Sequence, residues 1–137
     1  MEFGYSAAPL IKKLDIKPGF RIYIKNEIPG YFDLTGQMPE NVVVENKLYN
    51  EFNFIHNFCK SRFELFNEIK KLKLALKKDG MLWISWPKKT SKIFSDLDEN
   101  IIRNIGLEAG LVDIKVCAID KNWSALKFVY RKKDRKL

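Results

Sequence analysis

The run Gly80–Lys92, GMLWISWPKKTSK, carries the densest reactive chemistry in the chain: two indoles, a proline, three lysines and adjacent hydroxyls. Lysine ammonium groups act as point charges for phosphate or carboxylate. The hydroxyls of Thr90 and Ser91 add donors, an indole offers a flat face to a base or a cation, and Pro87 stiffens the departure from a strand. In an open α/β sheet, ligands bind outside the carboxyl ends of the parallel strands. If Trp86 ends such a strand, Trp86, Lys88, Lys89 and Ser91 fall on that edge as candidate ligand-binding residues. The segment NWSALK adds Trp123, Ser124 and Lys127, and the N-terminal segment adds Lys12 and Lys13. The competing reading is a core strand running into an exposed turn, and Trp83 is assigned to the core.

Other chemistries lack their residues. No GxxxxGK[ST] loop and no GxSxG elbow occur. His56 is the sole histidine, flanked by phenylalanines, with no nucleophile near it in sequence. Cys59 and Cys117 lie far apart without a CxxC spacing, so a structural zinc site, which wants about four clustered ligands, is not expected. No metal, no cofactor and no catalytic residue is assigned.

A chain of 137 residues can bury a core without disulfides, and its 46% hydrophobic and 31% charged content is that of an ordinary globular protein. No apolar run approaches the ~20 residues that span a bilayer, and the first residues lack a signal pattern, so a cytoplasmic location without membrane contact is expected. The net charge of +8 sits in two places: residues 60–92 hold ten Lys/Arg against three Asp/Glu, and residues 131–137 hold five against one. Such segments attract phosphates or anionic polymers, or else form a solvated helix face and a flexible end.

The elements that must position these residues follow from pattern. SAAPLIKKL reads as a short helix capped by Ser6, with Pro9 in its first turn. Residues 20–25, 42–45 and 52–58 read as strands, with room for only a turn or two of helix between the first two. Ser61 and Glu64 form a capping box, after which Leu65, Ile69, Leu72 and Leu76 recur at helical spacing toward Lys77, Lys78 and a Gly80 cap. MLWISW is apolar on both faces, as a central strand is. A second capped helix begins near Asp96 and stops at Gly110, and VDIKVCAID and WSALKFVYRK form a terminal hairpin. Alternating helices and strands closed by a hairpin specify one open, mostly parallel α/β sheet over residues 1–130, followed by a basic tail at 131–137.

A sheet whose late strands are LKKDGMLWISW and GLVDIKVCAID, finished by a hairpin, resembles the C-terminal half of class I S-adenosylmethionine-dependent methyltransferases. Along almost the whole chain, GYSAAPLIKKLDIKPG, LWISWPKKTSK, GLVDIKVCAID and WSALK resemble a small uncharacterised bacterial family carrying a WPKK motif. That resemblance implies a shortened methyltransferase-like Rossmann domain and brings no activity with it. In the methyltransferases a glycine-rich loop follows the first strand, because only glycine lets backbone approach the cofactor. Here the segment is RIYIKNEIPGYFDLTG, with Gly30 and Gly36 six apart and no GxG. Glu45, at the end of the second strand, is the one partial match, placed where an acid would reach ribose hydroxyls.

The reading that follows is a non-catalytic methyltransferase-like module that binds an anionic small molecule or a protein partner. The alternative is a nucleic-acid-binding protein that uses the lysine helix, the WPKK loop and the basic tail together. Against the alternative, no helix-turn-helix, zinc-finger or RNP signature occurs. The sequence leaves the oligomeric state open.

Overall fold

The computed structural model describes residues 9–135. The Ser6 cap and the last two residues of the basic tail lie outside that range. Six strands form one sheet in the order β2-β1-β3-β4-β6-β5. They are β1 (Arg21–Lys25), β2 (Val43–Glu45), β3 (Phe52–Phe58), β4 (Leu76–Pro87), β5 (Leu111–Ala118) and β6 (Trp123–Tyr130). β1 to β4 run parallel, while β6 is antiparallel to both β4 and β5. The terminal hairpin therefore inserts β6 beside β4 and leaves β5 at the edge. Among the described residues, no helix is long and apolar enough to cross a membrane.

The helices α3 (Arg62–Leu74) and α4 (Glu99–Glu108) cover one face of the sheet. Leu65, Ile69 and Leu72 of α3 and Ile102 of α4 share a buried cluster there with Ile55, Leu82, Ile84 and Trp86. On the other face, the short helices α1 (Leu10–Lys13) and α2 (Tyr31–Thr35) accompany a second cluster built on Leu14, Ile22, Tyr31, Phe54 and Trp83. Burying one such large apolar side chain is worth roughly 1.5–3 kcal/mol, so β4, which feeds both clusters, is the most heavily used strand.

Local signals account for the helix starts. Ser61 Oγ accepts from the Glu64 amide at 3.2 Å, as the capping box requires. The α4 cap is Asp98, which accepts from the Ile101 amide at 2.8 Å, rather than Asp96. Asp96 instead accepts from the Arg62 amide at 2.8 Å, satisfying an orphan donor at the start of α3. The expected Lys77–Gly80 helix ending is also corrected. Ala75 already closes α3, Leu76 pairs with Phe52, and Lys77, Lys78 and Gly80 belong to β4. A Cβ on Gly80 would sit 2.8 Å from Phe52 O, so this glycine serves close strand approach rather than a left-handed turn.

The N-terminal segment is clamped across the sheet. Trp83 Nε1 donates to Leu14 O at 3.1 Å. Asp15 accepts from Lys127 Nζ at 2.8 Å and Lys115 Nζ at 3.2 Å. Burial alone would raise the Asp15 carboxyl, but the two ammonium groups outweigh it and hold the pKa below the usual carboxylate range. Lys127 is thus committed to an ion pair, with a side chain only 12% exposed, and does not project from the sheet edge as a ligand-binding residue would.

Gly106 lies within α4, where a Cβ would fall 2.1 Å from Phe128 Cε1. Alanine should improve helix propensity by about 1 kcal/mol, yet overpacking against a fully buried ring costs about 1–3 kcal/mol. Gly106→Ala is therefore expected to lower the urea midpoint. A midpoint equal to or above wild type would show that α4 does not pack on Phe128 this closely.

Candidate functional site: the carboxyl edge of the sheet

Strand order reverses at β1, which has β2 on one side and β3 on the other. This is the switch point at which open α/β sheets bind ligands. A cleft of about 430 Å³ opens there, lined in part by Asn26, Glu27, Phe58, Cys59, Lys60 and Trp123. A neighbouring cleft of about 310 Å³ reaches from Tyr23–Glu27 to Val44, Glu45 and Asn46 at the end of β2.

Side chains fill the point where the two clefts meet. Asn26 Nδ2 donates to Phe58 O at 3.1 Å, bridging the ends of β1 and β3. Ile28 turns inward and is 9% exposed, in the cluster with Tyr31, Phe58 and Trp123. Gly30 adopts φ 77°, and a Cβ placed on it would meet nothing within 4 Å, so it serves the turn into α2 and not a close approach. Glu45 lies 3.8 Å from Arg21 Nε and shares a hydrogen bond with Tyr49. Asn57 Oδ1 is buried without a hydrogen-bond partner, on β3 beside Lys25, whose ammonium pairs with Glu68 at 2.5 Å.

Beneath the cleft runs a buried polar chain that sequence spacing does not disclose. Tyr31 OH lies 2.8 Å from His56 Nδ1, and His56 Nε2 lies 2.7 Å from Ser85 Oγ. A neutral imidazole has one N–H, so one hydroxyl donates to the ring and the other accepts from it. Burial pushes the His56 pKa down to about 3 and raises that of Tyr31. Hydroxyl, imidazole and phenol are hydrogen-bonded in succession, but Tyr31, His56 and Ser85 are each 0% exposed, so a substrate has no access to the three. The chain ties α2 to β3 and β4. Cys59, at the cleft wall, is likewise held as a thiol: burial, then the Glu64 and Asp96 carboxylates, push its pKa up to about 12.

The loop after β4 has a different character. The Lys88 amide donates to Asn122 O at 2.8 Å, joining that loop to the β5–β6 turn. Ser91 Oγ donates to Lys88 O at 2.8 Å and accepts from the Ile93 amide at 3.3 Å. Asp120 Oδ1 accepts from the Asn122 and Trp123 amides at 2.8 and 2.9 Å, fixing the facing turn. Between the two lies a groove of about 510 Å³ lined by Thr90, Ser91, Lys92, Ile93, Lys121 and Asn122. Among the described residues, Lys88, Lys89, Lys92 and Lys121 have no carboxylate partner.

The candidate residues therefore separate. Ser91 lines the groove, whereas Lys88, half-buried, and Lys89, exposed, precede it in the chain and are not among the lining residues. Trp123 lines the switch-point cleft and is 8% exposed, its ring edge-on to Phe58 at 5.2 Å. Trp86 is 7% exposed and packs with the α3 and α4 side chains, because its side chain points to the opposite face from Trp83; it is core and offers no open face to a ligand. Lys127 belongs to the Asp15 clamp. Lys12 and Lys13 lie on α1, Lys12 exposed and Lys13 half-buried. Sequence reasoning misses Lys92 and Lys121; the available signal is their place on either side of one β4–β6 pairing.

Solved structures show the same fold. A magnesium protoporphyrin IX methyltransferase from Synechocystis PCC 6803 with bound SAH matches over 89% of this chain and 78% of its own, at TM-score 0.58 and 11% identity. Aeropyrum pernix fibrillarin with bound S-adenosyl-L-methionine matches over 90% and 73%, at TM-score 0.59 and 14% identity. A SAM-dependent methyltransferase from Aquifex aeolicus matches over 92% and 90%, at TM-score 0.59 and 12% identity. No family model and no curated protein matches the sequence. The chain thus has a methyltransferase-like Rossmann fold, which these identities establish as fold alone.

His56 supplies a pH test of this geometry. The unfolded chain takes up a proton near pH 6.5 and the folded chain does so only near 3, so stability should fall as pH drops through that window, by at most about 1.4 kcal/mol per pH unit. Because His56 is the sole histidine, the slope between about pH 6.5 and 5 in urea titrations reports on it before carboxylates protonate. His56→Gln should flatten that slope. A wild-type profile already flat there would contradict a buried neutral ring.

Proposed function

We propose that this protein is a methyltransferase-fold module that does not use the nucleoside cofactor and binds a small polyanionic ligand in the groove between Thr90–Ile93 and Lys121–Asn122. The observation that carries the reading is the Lys88–Asn122 hydrogen bond, which sets Lys92 and Lys121 on one concave surface without neutralising carboxylates. Hydroxyls of Thr90 and Ser91 line the same groove and supply orientation, as a phosphate site needs.

The residues at the switch point do not fit the nucleoside ligand held in the Synechocystis and Aeropyrum pernix structures. The Asn26 side chain crosses the crevice, Ile28 occupies the underside of the loop, and α2 is five residues long. Glu45, the one partial sequence match to a ribose acceptor, is engaged by Arg21 and Tyr49. No step of methyl transfer is therefore assigned to these residues.

Exposed lysines contribute modestly, on the order of 1 kcal/mol per contact, so an affinity between millimolar and micromolar is expected. Isothermal titration with inorganic pyrophosphate should show saturable binding at low salt. Lys92→Ala with Lys121→Ala should weaken it about tenfold or more, while the melting temperature stays nearly constant, as exposed substitutions shift stability by less than about 0.5 kcal/mol. Absence of pyrophosphate binding, or undiminished binding by the double variant, contradicts the assignment. A pyrophosphate response absent while S-adenosylmethionine binds would return the chain to the cofactor-dependent class.

A further inference from the structure

The three basic segments that sequence reading joins are separated by the fold. β4 runs roughly 30 Å from Lys77 and Lys78 to Lys88 and Lys89, so the WPKK loop lies at the opposite edge from the start of the strand. The basic tail goes the other way. Because β6 is antiparallel to β4, its end returns the chain to the edge where β4 begins. Lys78 Nζ sits 4.7 Å above the Tyr130 ring, Lys73 Nζ 5.4 Å above it, and Arg135 Nε donates to Tyr130 O at 2.8 Å. The turn Lys132–Asp134 holds Lys132 and Lys133 beside them.

The same edge continues across the sheet. Phe52, at the start of β3, donates its amide to Ala75 O at 2.8 Å, next to the start of β4. The Tyr49 ring lies 5.5 Å from Phe52, and the Arg21 guanidinium lies 5.6 Å from the Tyr49 centroid. Lys77, Lys78, Lys132, Lys133 and Arg135 thus share the edge of β4 and β6, and Arg21 on β1 extends this row past β3, which adds no cation, to about 14 Å at ordinary strand spacing. Among the described residues, Glu45 forms the one ion pair with these cations, 3.8 Å from Arg21, while Glu51 and Asp134 act on the nearby Tyr130 phenol and Asp79 follows Lys78. Among the described residues, Lys77, Lys78, Lys132 and Lys133 have no carboxylate partner.

We propose that this amino-terminal edge is a binding surface for the phosphate backbone of a single-stranded nucleic acid. A linear row of point charges suits a chain of phosphates better than a compact anion does. Among the described residues, no helix or ribbon projects from this edge to enter a duplex groove, and the half-exposed Tyr49 ring beside Arg21 offers a stacking surface at one end of the row. A membrane headgroup layer would favour a broad face with several clustered apolar anchors, whereas the exposed apolar residues here, Leu74 on the last turn of α3 and Val43 at the start of β2, lie on separate elements. The surface lies away from the pyrophosphate groove, so neither claim depends on the other.

The test is fluorescence anisotropy of labelled oligouridylate and oligothymidylate, titrated with the full chain between about 50 and 200 mM salt. Wild type should bind with a steep salt dependence. Replacing Lys77, Lys78, Lys132 and Lys133 by glutamine should weaken binding about tenfold or more and reduce the log–log salt slope by up to about 2.8, or about 0.7 for each phosphate no longer neutralised. Circular dichroism melting of that variant verifies that it is folded. An equal charge loss at Lys88, Lys89, Lys92 and Lys121 separates a local surface from net charge. The proposal is overturned if wild type does not bind at the lower salt, if the first variant binds like wild type, if the second loses as much as the first, or if anionic phosphatidylserine vesicles compete more strongly than oligonucleotide.

Discussion

Everything in this fold depends on β4 being buried on both of its faces. Its side chains alternate between two clusters: Leu82, Ile84 and Trp86 against α3 and α4, and Met81 and Trp83 against the N-terminal segment and α2. Trp83 is fully buried and also donates to Leu14 O, so the segment before β1 is tied to the strand by packing and by a hydrogen bond at once. Ser85, the polar exception on that face, is satisfied by His56, and His56 by Tyr31. An unpaired polar group at such depth costs about 1–3 kcal/mol, so the three side chains stand or fall together. Polarity inside this core serves to fix α2 and β3 against β4.

With its middle given over to packing, β4 can be charged only where it enters and leaves the sheet. Lys77, Lys78 and Asp79 mark the entry, and Lys88, Lys89 and Lys92 follow the exit. The antiparallel neighbour β6 has Lys121 before it and Arg131–Arg135 after it, and its one mid-strand cation, Lys127, is taken up by Asp15. Outside the lysines along α3, charge therefore gathers at two opposite edges of the sheet. At the switch-point crevice, Asn26 bonds across to the end of β3 and Ile28 turns into the core, while the clefts on either side stay open.

Features that depend on neighbours a few residues apart are legible in the sequence. The Ser61 cap, the apolar stripe of α3, the doubly apolar β4 and the Gly110 stop all follow from local spacing, and together they specify the open α/β sheet. Features made by distant residues stay hidden. The Asp15–Lys127 pair joins positions 112 apart, which gives Lys127 the look of a free cation. Ser85 and His56 are 29 apart and meet only because β3 and β4 pair in one register. Trp86 reads as an edge residue because Pro87 follows it, whereas its burial is decided by which face it points to. The choice between Asp96 and Asp98 as the α4 cap turns on the Arg62 amide, contributed by another helix.

If the accessible ligand site lies beside β6 and not in the cofactor crevice, backbone-amide NMR of the labelled protein will separate the two. The protein is titrated first with pyrophosphate and then with S-adenosylmethionine. Saturating shifts are expected at Ser91, Lys92, Ile93, Lys121 and Asn122 with pyrophosphate, and no saturating response at Asn26–Tyr31 or Glu45 with S-adenosylmethionine. Saturating shifts at Asn26, Glu27 and Glu45 with S-adenosylmethionine, and none in the groove with pyrophosphate, would place the site in the crevice instead.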